Sequence, residues 1–232
     1  MIITFLVPVY NEVKTVENSI KEVLDLKNIQ KEIIIIDNCS TDGSIEIIKK
    51  FKNISDVKVI LKSKNLGYGD SIKKGFELAT GDYIYIQYTD LEYHIIGFKI
   101  MLKKILETNS DCVFGERYKN NSFVGHIKEI IFRPSYLATL LISSLINFFY
   151  NKDFNDVIGG KLYKSSKIKS IKIDSNHTGF DFELVSKMLK NQFKIDKTLV
   201  PYKPRENSSE KKIKFYHMIN AVYEIFRVKF FN

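Results

Sequence analysis

The run Glu32–Asp37 (EIIIID) places four isoleucines in succession between two acids, and it constrains the fold more than any other segment. A strand with one solvated face would alternate apolar and polar residues. An unbroken β-branched run is instead typical of a parallel strand buried on both faces. Such a strand needs helices on either side of its sheet. The run therefore predicts an α/β fold.

Strand-like and helix-like segments alternate around this run. Apolar, β-rich segments predict strands, and segments whose apolar residues recur every three or four positions predict amphipathic helices. The alternation favours a mostly parallel sheet with helices on both faces. The predicted elements are, in chain order, strand Ile2–Val9, helix Val13–Leu26, strand Glu32–Asp37, helix Ser44–Phe51, strand Val57–Leu61, helix Ser71–Ala79, strand Asp82–Gln87, helix Phe98–Thr108, strand Cys112–Gly115, helix His126–Tyr150, a return to the sheet over Asp156–Tyr163, helix Phe182–Asn191 and a basic, aromatic tail over Lys211–Asn232.

Length and composition indicate one domain with a C-terminal appendage. The 232 residues are 44% hydrophobic, which is ordinary for a globular protein. The formal charge of +9 favours anionic partners such as nucleotides or phospholipid surfaces, unless it only reflects an AT-rich genome. No nucleic-acid-binding module accompanies the charge. The two cysteines, Cys39 and Cys112, support neither a disulfide framework nor a zinc site.

One segment is apolar enough to raise the question of a membrane span. Pro134–Asn151 carries no charge over 18 residues, which is near the lower limit for crossing a bilayer. Because polar residues dilute it and strongly basic flanks are missing, we predict an interfacial or core helix. The N-terminal MIITFLVPVYNE predicts a buried first strand rather than a signal peptide, since Pro8 follows soon after an uncharged start.

Polar residues fall at the predicted carboxyl ends of strands, where open α/β sheets bind ligands. Asp37 either accepts hydrogen bonds from a nucleobase or ribose, or forms a local Asx turn. The loop Asn65-x-Gly67-x-Gly69 precedes a helix, and its small residues would let an anion approach the helix N-terminus. Asp90 is either a ligand for Mg²⁺ or Mn²⁺ bound together with phosphates, or a solvated turn acid.

Several further motifs follow one another in a fixed order. They are VPVYNE (Val7–Glu12), IDNCSTDGS (Ile36–Ser44), NLGYGDSIKKGFELATGDYI (Asn65–Ile84), TDLEY (Thr89–Tyr93), GERY (Gly115–Tyr118), DVIGGKLYK (Asp156–Lys164), FDFE (Phe180–Glu183) and PYKPRENSSEKKIKF (Pro201–Phe215). Over nearly the whole chain these motifs resemble the family-2 glycosyltransferases with a GT-A fold, and most of all the polyprenyl-phosphate (dolichyl-phosphate) hexosyltransferases. The resemblance implies a GT-A domain over residues 1–215, followed by a basic, aromatic helix over 216–232.

The resemblance also implies a donor site for a UDP- or GDP-sugar. That site has a pocket for the base and ribose, a loop beside the nucleotide, and a carboxylate that holds Mg²⁺ or Mn²⁺ on the diphosphate. The carboxylate is Asp90, which matches the last acid of the family's Asp-x-Asp motif. The implied pocket residues are Pro8, Tyr10, Glu12 and Asp37, and the implied loop residues are Asn65 and Gly69.

An acceptor site is implied on the other side of the reaction. Arg117 matches a residue near the acceptor phosphate. Asp156 opens an Asp-x-x-x-Gly element near the acceptor, where it either orients or deprotonates the acceptor or has a structural role. These two residues are the implied catalytic pair. The further implied phosphate contacts are Arg133, Ser135, Arg205 and Lys211.

The chain departs from the family at Tyr88. The family usually carries Asp there, whereas this chain reads Tyr88-Thr89-Asp90. The loss of one carboxylate leads to weaker metal binding, to a metal-independent variant that relies on Arg205 and Lys211, or to loss of activity. Glu92 makes up for the missing carboxylate only if its side chain turns inward.

Three functions follow from these alternatives. The first is transfer of a hexose, with inversion, to a polyprenyl phosphate at the cytoplasmic face of the plasma membrane. The second is transfer to a glycan acceptor in surface-polymer assembly, and the third is noncatalytic binding of a nucleotide sugar. The helix His126–Tyr150 and the C-terminal tail either dock peripherally on the membrane, pack on the domain, or form a homo-oligomer interface.

Overall fold

The computed structural model describes residues 1–117, 135–177, 179–204 and 216–231. Within these ranges one seven-stranded sheet carries helices on both faces. The elements are, in chain order, β1 (Ile2–Val9), α1 (Val16–Leu24), β2 (Gln30–Asp37), α2 (Ser44–Lys49), β3 (Val57–Leu61), α3 (Tyr68–Leu78), β4 (Tyr83–Ile86), α4 (Ile96–Thr108), β5 (Cys112–Glu116), α5 (Ser135–Tyr150), β6 (Gly160–Lys164), α6 (Ser165–Ile168), α7 (Phe180–Lys190), β7 (Ile195–Leu199) and α8 (Tyr216–Phe231).

The sheet is mostly parallel. Its strand order is β3-β2-β1-β4-β6-β5-β7, and β6 alone is antiparallel to its neighbours, β4 and β5. The carboxyl ends of β1 and β2 are in register, because Val9 pairs with Asp37. The α/β class with a mostly parallel sheet is therefore confirmed.

The core lies on both faces of the sheet. Ile34 and Ile36 of β2 belong to one buried cluster, whereas Ile33 and Ile35 belong to the cluster on the opposite face. All four side chains are essentially inaccessible to solvent. The unbroken isoleucine run thus reports a strand covered on both sides, as predicted.

The C-terminal helix α8 packs against α7. Ala221, Ile225 and Val228 of α8 are buried in the first of these clusters or beside it. A guanidinium nitrogen of Arg227 lies 3.0 Å from the buried carboxylate of Glu183 on α7. The division of the chain at residue 215 stays a prediction, and α8 shares its core with the rest of the molecule.

The predicted apolar helix is described only from Ser135 onward, and residues 126–134 of that prediction lie outside the described ranges. Among the residues that the structure describes, no helix combines the length and apolar character needed to cross a bilayer.

Candidate active site

The carboxyl ends of β1, β2 and β4 meet at one edge of the sheet, and hydrogen bonds tie the following loops together. The Thr89 hydroxyl donates to the carbonyl of Pro8, at 3.3 Å. Asn38, directly after β2, donates from its backbone amide to the carbonyl of Val9, at 2.8 Å. The side-chain amide of Asn38 donates to Oδ1 of Asn65, at 2.7 Å. The segments predicted to form the donor site are thus adjacent in space.

Asp37 is the most informative of these residues. Its side chain is fully buried, and Oδ2 accepts a hydrogen bond from the backbone amide of Ser40, at 3.0 Å. Oδ1 is buried without a hydrogen-bond partner among the described residues. A buried carboxylate oxygen without a partner is costly, so such a group calls for a ligand or an ordered water. One oxygen of Asp37 therefore holds the turn through the amide of residue i+3, not i+2 as in an Asx turn, and the other lacks a donor among the described residues.

The loop after β1 is fixed to the loop after β2. The Asn11 amide donates to the hydroxyl of Ser40, at 3.0 Å, and the Glu12 amide donates to the hydroxyl of Ser44, at 2.9 Å. Glu12 Oε2 also accepts from the Thr15 hydroxyl, at 3.1 Å. Tyr10 is 38% exposed at the rim. The predicted pocket residues of this loop thus lie beside the turn that begins at Asp37.

A second polar network lies at the ends of β2 and β3. Lys62 donates to Oδ1 of Asn38, at 2.8 Å, and forms an ion pair with Asp70, at 2.6 Å. Asn65 Oδ1 accepts from the Gly67 amide, at 2.9 Å, as well as from Asn38. The network holds Asn65 in place at the entrance to α3.

The glycines of this loop allow close packing against the segment before α7. Gly67 has φ +97°, and a Cβ there would lie 2.2 Å from the carbonyl oxygen of Asn176. A Cβ on Gly69 would lie 2.8 Å from Phe180 Cβ. The Asp70 amide, in the first turn of α3, already donates to the Asn176 carbonyl, at 3.3 Å. The small residues thus admit the chain around Asn176, and the approach of an anion and the nucleotide contact of Gly69 stay predictions.

The turn after β4 carries the predicted metal ligand. Asp90 Oδ1 accepts from the backbone amide of Glu92, at 3.1 Å, across Leu91, which has φ +58°. Glu92 Oε2 accepts from the hydroxyl of Tyr202, at 2.8 Å, and Tyr202 forms a β-bridge with Tyr93. Residues more than a hundred positions apart thus shape this turn.

Tyr88 does not replace the missing acid. Its hydroxyl lies 3.5 Å from that of Tyr68, and its ring packs on Tyr93 with centroids 5.4 Å apart. Desolvation raises the pKa of the Tyr88 phenol well above its usual value, so it stays neutral. The position of the first acid is therefore filled by a group that cannot supply an anionic ligand.

The described side chains do not form a complete metal site by themselves. In the described ranges no group of three or more His, Cys, Asp or Glu side chains could hold a metal ion by itself. Mg²⁺ and similar hard cations need only one or two carboxylates when phosphate oxygens and waters complete their shell. A cation at Asp90 would therefore need a diphosphate to complete its shell, and the metal role of Asp90 stays a prediction.

Arg117 and Asp156 form a buried ion pair. Nε and Nη2 of Arg117 donate to Oδ2 and Oδ1 of Asp156, at 2.6 and 3.0 Å, and Nη2 also donates to the Thr139 hydroxyl, at 3.2 Å. Burial alone would raise the pKa of Asp156, but the guanidinium and the amides of Arg117 and Ile158 hold it below its usual value. A carboxylate held in this way is a weak proton acceptor, so the geometry favours an orienting role for Asp156.

A second carboxylate lies in the first turn of α7. Asp181 Oδ1 is 3.7 Å from Nζ of Lys161, whose side chain is 1% exposed. Among the described residues this oxygen has no hydrogen-bond partner, and the same holds for the buried hydroxyl of Tyr163. Asp181 belongs to the FDFE motif, but the resemblance assigned it no role. The sequence shows Asp181 only as an acid near the start of a predicted helix. Its proximity to Lys161 and the burial of its Oδ1 atom depend on the fold.

The remaining predicted phosphate contacts have no described side chains. Arg133, Arg205 and Lys211 lie outside the described residues, and Ser135 begins α5 with only its backbone described. Their roles stay predictions.

Comparison with known proteins identifies the family of this chain. Residues 4–172 match the model of glycosyl transferase family 2. An uncharacterized protein of Methanocaldococcus jannaschii, MJ0544, is 31% identical over 180 residues, which cover 74% of this chain and 76% of that protein. Poly-beta-1,6-N-acetyl-D-glucosamine synthase of Staphylococcus aureus is 39% identical over 82 residues, but this match spans only 20% of its length.

Solved structures share the fold. Glucosyl-3-phosphoglycerate synthase from Mycobacterium tuberculosis, solved with Mn²⁺, UDP and phosphoglyceric acid, has a TM-score of 0.73 at 13% identity, over 99% of this chain and 79% of that one. S. aureus TarS 1-349, solved with UDP-GlcNAc, has a TM-score of 0.65 at 19% identity, over 97% and 67%. The chain belongs to glycosyltransferase family 2 and has the GT-A fold, which confirms the predicted family.

Proposed function

We propose that this protein transfers a hexose, with inversion, from a UDP- or GDP-sugar to a polyprenyl phosphate at the cytoplasmic face of the plasma membrane. The observation that carries the donor half is the buried, unpartnered Oδ1 of Asp37 at the same sheet edge as Asp90. The Oδ1 atom of Asp37 suits a hydrogen-bond donor on a nucleobase or ribose. The carboxylate of Asp90 suits a cation that is bound to the diphosphate. Two proteins of the same fold were solved with UDP or UDP-GlcNAc, which supports this reading.

The reaction exchanges one bond at the anomeric carbon for another. An acceptor oxygen attacks that carbon from the face opposite the diphosphate, the new C–O bond forms, and the bond to the diphosphate breaks. The nucleoside diphosphate leaves with the electron pair. Mg²⁺ or Mn²⁺, when bound at Asp90, neutralises charge on the leaving diphosphate. Asp37 holds the nucleoside half still, which keeps the reacting atoms in line.

The acceptor side is proposed from the Arg117–Asp156 pair. A polyprenyl phosphate is already an anion near neutral pH, so the protein supplies positioning and charge compensation rather than a base. Asp156 fixes the plane of the Arg117 guanidinium through two hydrogen bonds. Arg117 would offset the repulsion between two phosphate-bearing substrates.

A hydroxyl acceptor on a surface glycan is the second candidate, and Asp181 favours it. A hydroxyl must lose its proton as it attacks, and the unpartnered Oδ1 of Asp181 would receive that proton. The Lys161 ammonium lies 3.7 Å from this oxygen, farther than the Arg117 nitrogens lie from Asp156, so Asp181 would be the better proton acceptor of the two carboxylates. The two candidates differ in whether the reaction needs Asp181.

Transfer of label tests the proposal. The purified protein is incubated with radiolabelled UDP- and GDP-hexoses, Mn²⁺ and either polyprenyl phosphate or an oligosaccharide acceptor. Label that enters the organic phase supports the polyprenyl product, and label on the oligosaccharide supports the second candidate. Nucleotide binding without transfer to either acceptor would contradict both and leave a noncatalytic binding protein.

A further inference from the structure

The outward side of α5 is an apolar stripe. This helix has no charged residue over its 16 positions. Leu137, Leu141 and Phe148 are exposed at positions four and seven apart, which places them on one side of the helix. Phe148 is 81% exposed. Large apolar side chains rarely stand this free on a helix without a partner.

Helix α8 carries a matching stripe. Ile219, Tyr223 and Phe230 are exposed at the same spacing, and Phe231 is 83% exposed at the end of the helix. The charged groups of α8 contact the protein instead. Arg227 pairs with Glu183, and Lys229 donates to the Phe149 carbonyl, at 2.6 Å.

The two stripes form one surface. The Phe149 ring of α5 contacts Phe226 and Phe230 of α8, with centroids 5.0 and 5.7 Å apart, and Phe148 packs on Phe149. We call this surface the aromatic face. Its exposed members are Leu137, Leu141, Phe148, Ile219, Tyr223, Phe226, Phe230 and Phe231.

The opposite side of α5 contacts the acceptor side of the site. The Thr139 hydroxyl accepts from Arg117 Nη2, at 3.2 Å, and the Ser143 hydroxyl accepts from the Val157 amide, at 3.2 Å. One helix thus connects the aromatic face to the Arg117–Asp156 pair. A surface bound by this face would therefore be separated from that pair by the width of α5 alone.

We propose that the aromatic face docks on an anionic phospholipid bilayer and presents the acceptor side of the site to lipid-linked acceptors. This deepens the proposed function and rests on it for the acceptor. Exposed aromatic and aliphatic side chains without charges bury at the boundary between headgroups and acyl chains. The formal charge of +9 attracts the chain to anionic headgroups, whereas it opposes the approach of a second copy with the same charge.

Vesicle co-sedimentation tests the docking. The wild type should pellet with vesicles of phosphatidylglycerol and phosphatidylcholine, and less with phosphatidylcholine alone. The double variant Phe148→Ser/Phe231→Ser should lower the partition coefficient at least about tenfold, since it removes two inserted rings. The matched control Leu61→Ser/Leu106→Ser changes two exposed leucines outside the face and should pellet like the wild type.

Three results would overturn the proposal. They are a wild type that does not pellet with either vesicle, a double variant that pellets like the wild type, and a wild-type dimer in analytical ultracentrifugation that the double variant abolishes. Transfer to a short-chain, water-soluble phosphate acceptor separates the two proposals. The double variant should keep this activity while it loses vesicle binding. A wild type that docks but transfers nothing would contradict the proposed function and leave the docking intact.

Discussion

The hydroxyl of Tyr88 lies 3.5 Å from the hydroxyl of Tyr68, on the first turn of α3. This contact turns the side chain at the first position of the Asp-x-Asp motif toward another phenol. The ring of Tyr88 is fixed on its other side by Tyr93. A cation bound at this turn would therefore depend on Asp90 and on the diphosphate of the donor.

The variant Tyr88→Phe should bind Mn²⁺ like the wild type in the presence of nucleotide, because the phenol is not a ligand. Tyr88→Asp should bind Mn²⁺ more tightly, since it restores a carboxylate next to Asp90. Mn²⁺ titration followed by electron paramagnetic resonance measures both. A loss of Mn²⁺ binding in Tyr88→Phe would show that the hydroxyl is a ligand after all.

The variant Asp90→Asn should lower the affinity for Mn²⁺ in the presence of nucleotide by at least about tenfold, because it removes the charged ligand from the motif. Calorimetric titration of Mn²⁺ into the nucleotide complex measures this. Asp56→Asn, which changes an exposed acid before β3, is the matched control and should leave the affinity unchanged. Equal affinities for Asp90→Asn and the wild type would remove Asp90 from the metal role.

The variant Asp156→Asn should destabilise the folded protein by about 3–5 kcal/mol at pH 7, because it leaves the Arg117 guanidinium buried without its partner charge. The pKa of Asp156 is lowered in the folded state, so its carboxylate stabilises the protein above the unfolded pKa. That stabilisation is lost as the pH falls through the folded pKa. Urea unfolding should thus show a difference in the free energy of unfolding between variant and wild type that shrinks in acid. A difference in this free energy that does not depend on pH would contradict the ion pair.

The variant Asp181→Asn distinguishes the two candidate acceptors. Transfer to a phosphate acceptor should change by less than about threefold, whereas transfer to a hydroxyl acceptor should fall at least about a hundredfold, because general bases contribute on that scale. Turnover with each acceptor measures the effect, and Asp181→Glu, which keeps the acid, should recover part of the loss. Hydroxyl transfer that is unaffected in Asp181→Asn would exclude this residue as the proton acceptor.

Much of the fold follows from local pattern. The isoleucine run of β2 and the apolar run of β1 predict both strands, because burial on both faces leaves no other use for such residues. Strand β7 (IDKTL) was not predicted. Among the described strands it pairs with β5 alone, and an edge position of this kind is compatible with its polar Asp196, Lys197 and Thr198.

The sequence suggests candidate site residues but not the contacts among them. The sequence shows Asp37 at the end of an apolar run and Asp90 four residues after another one, which is why both are predicted near strand ends. The hydrogen bond between Tyr202 and Glu92 spans 110 positions, and the packing of Gly69 on Phe180 likewise joins distant segments. Such contacts depend on how the elements assemble, which no local pattern reports. The unpartnered oxygen of Asp181 was missed for the same reason.

We propose that Asp37 binds the nucleoside half of a sugar nucleotide. Calorimetric titration of UDP and GDP into the wild type and into Asp37→Asn tests this role most directly. In Asp37→Asn the amide oxygen would accept from Ser40 and the NH₂ group would replace Oδ1, so a donor on the ligand would meet another donor. We expect the wild type to bind one of the nucleotides and Asp37→Asn to bind it at least about tenfold more weakly. The control Asp56→Asn changes an exposed acid before β3 and should leave the affinity unchanged. Equal nucleotide affinity in Asp37→Asn and the wild type would contradict the account.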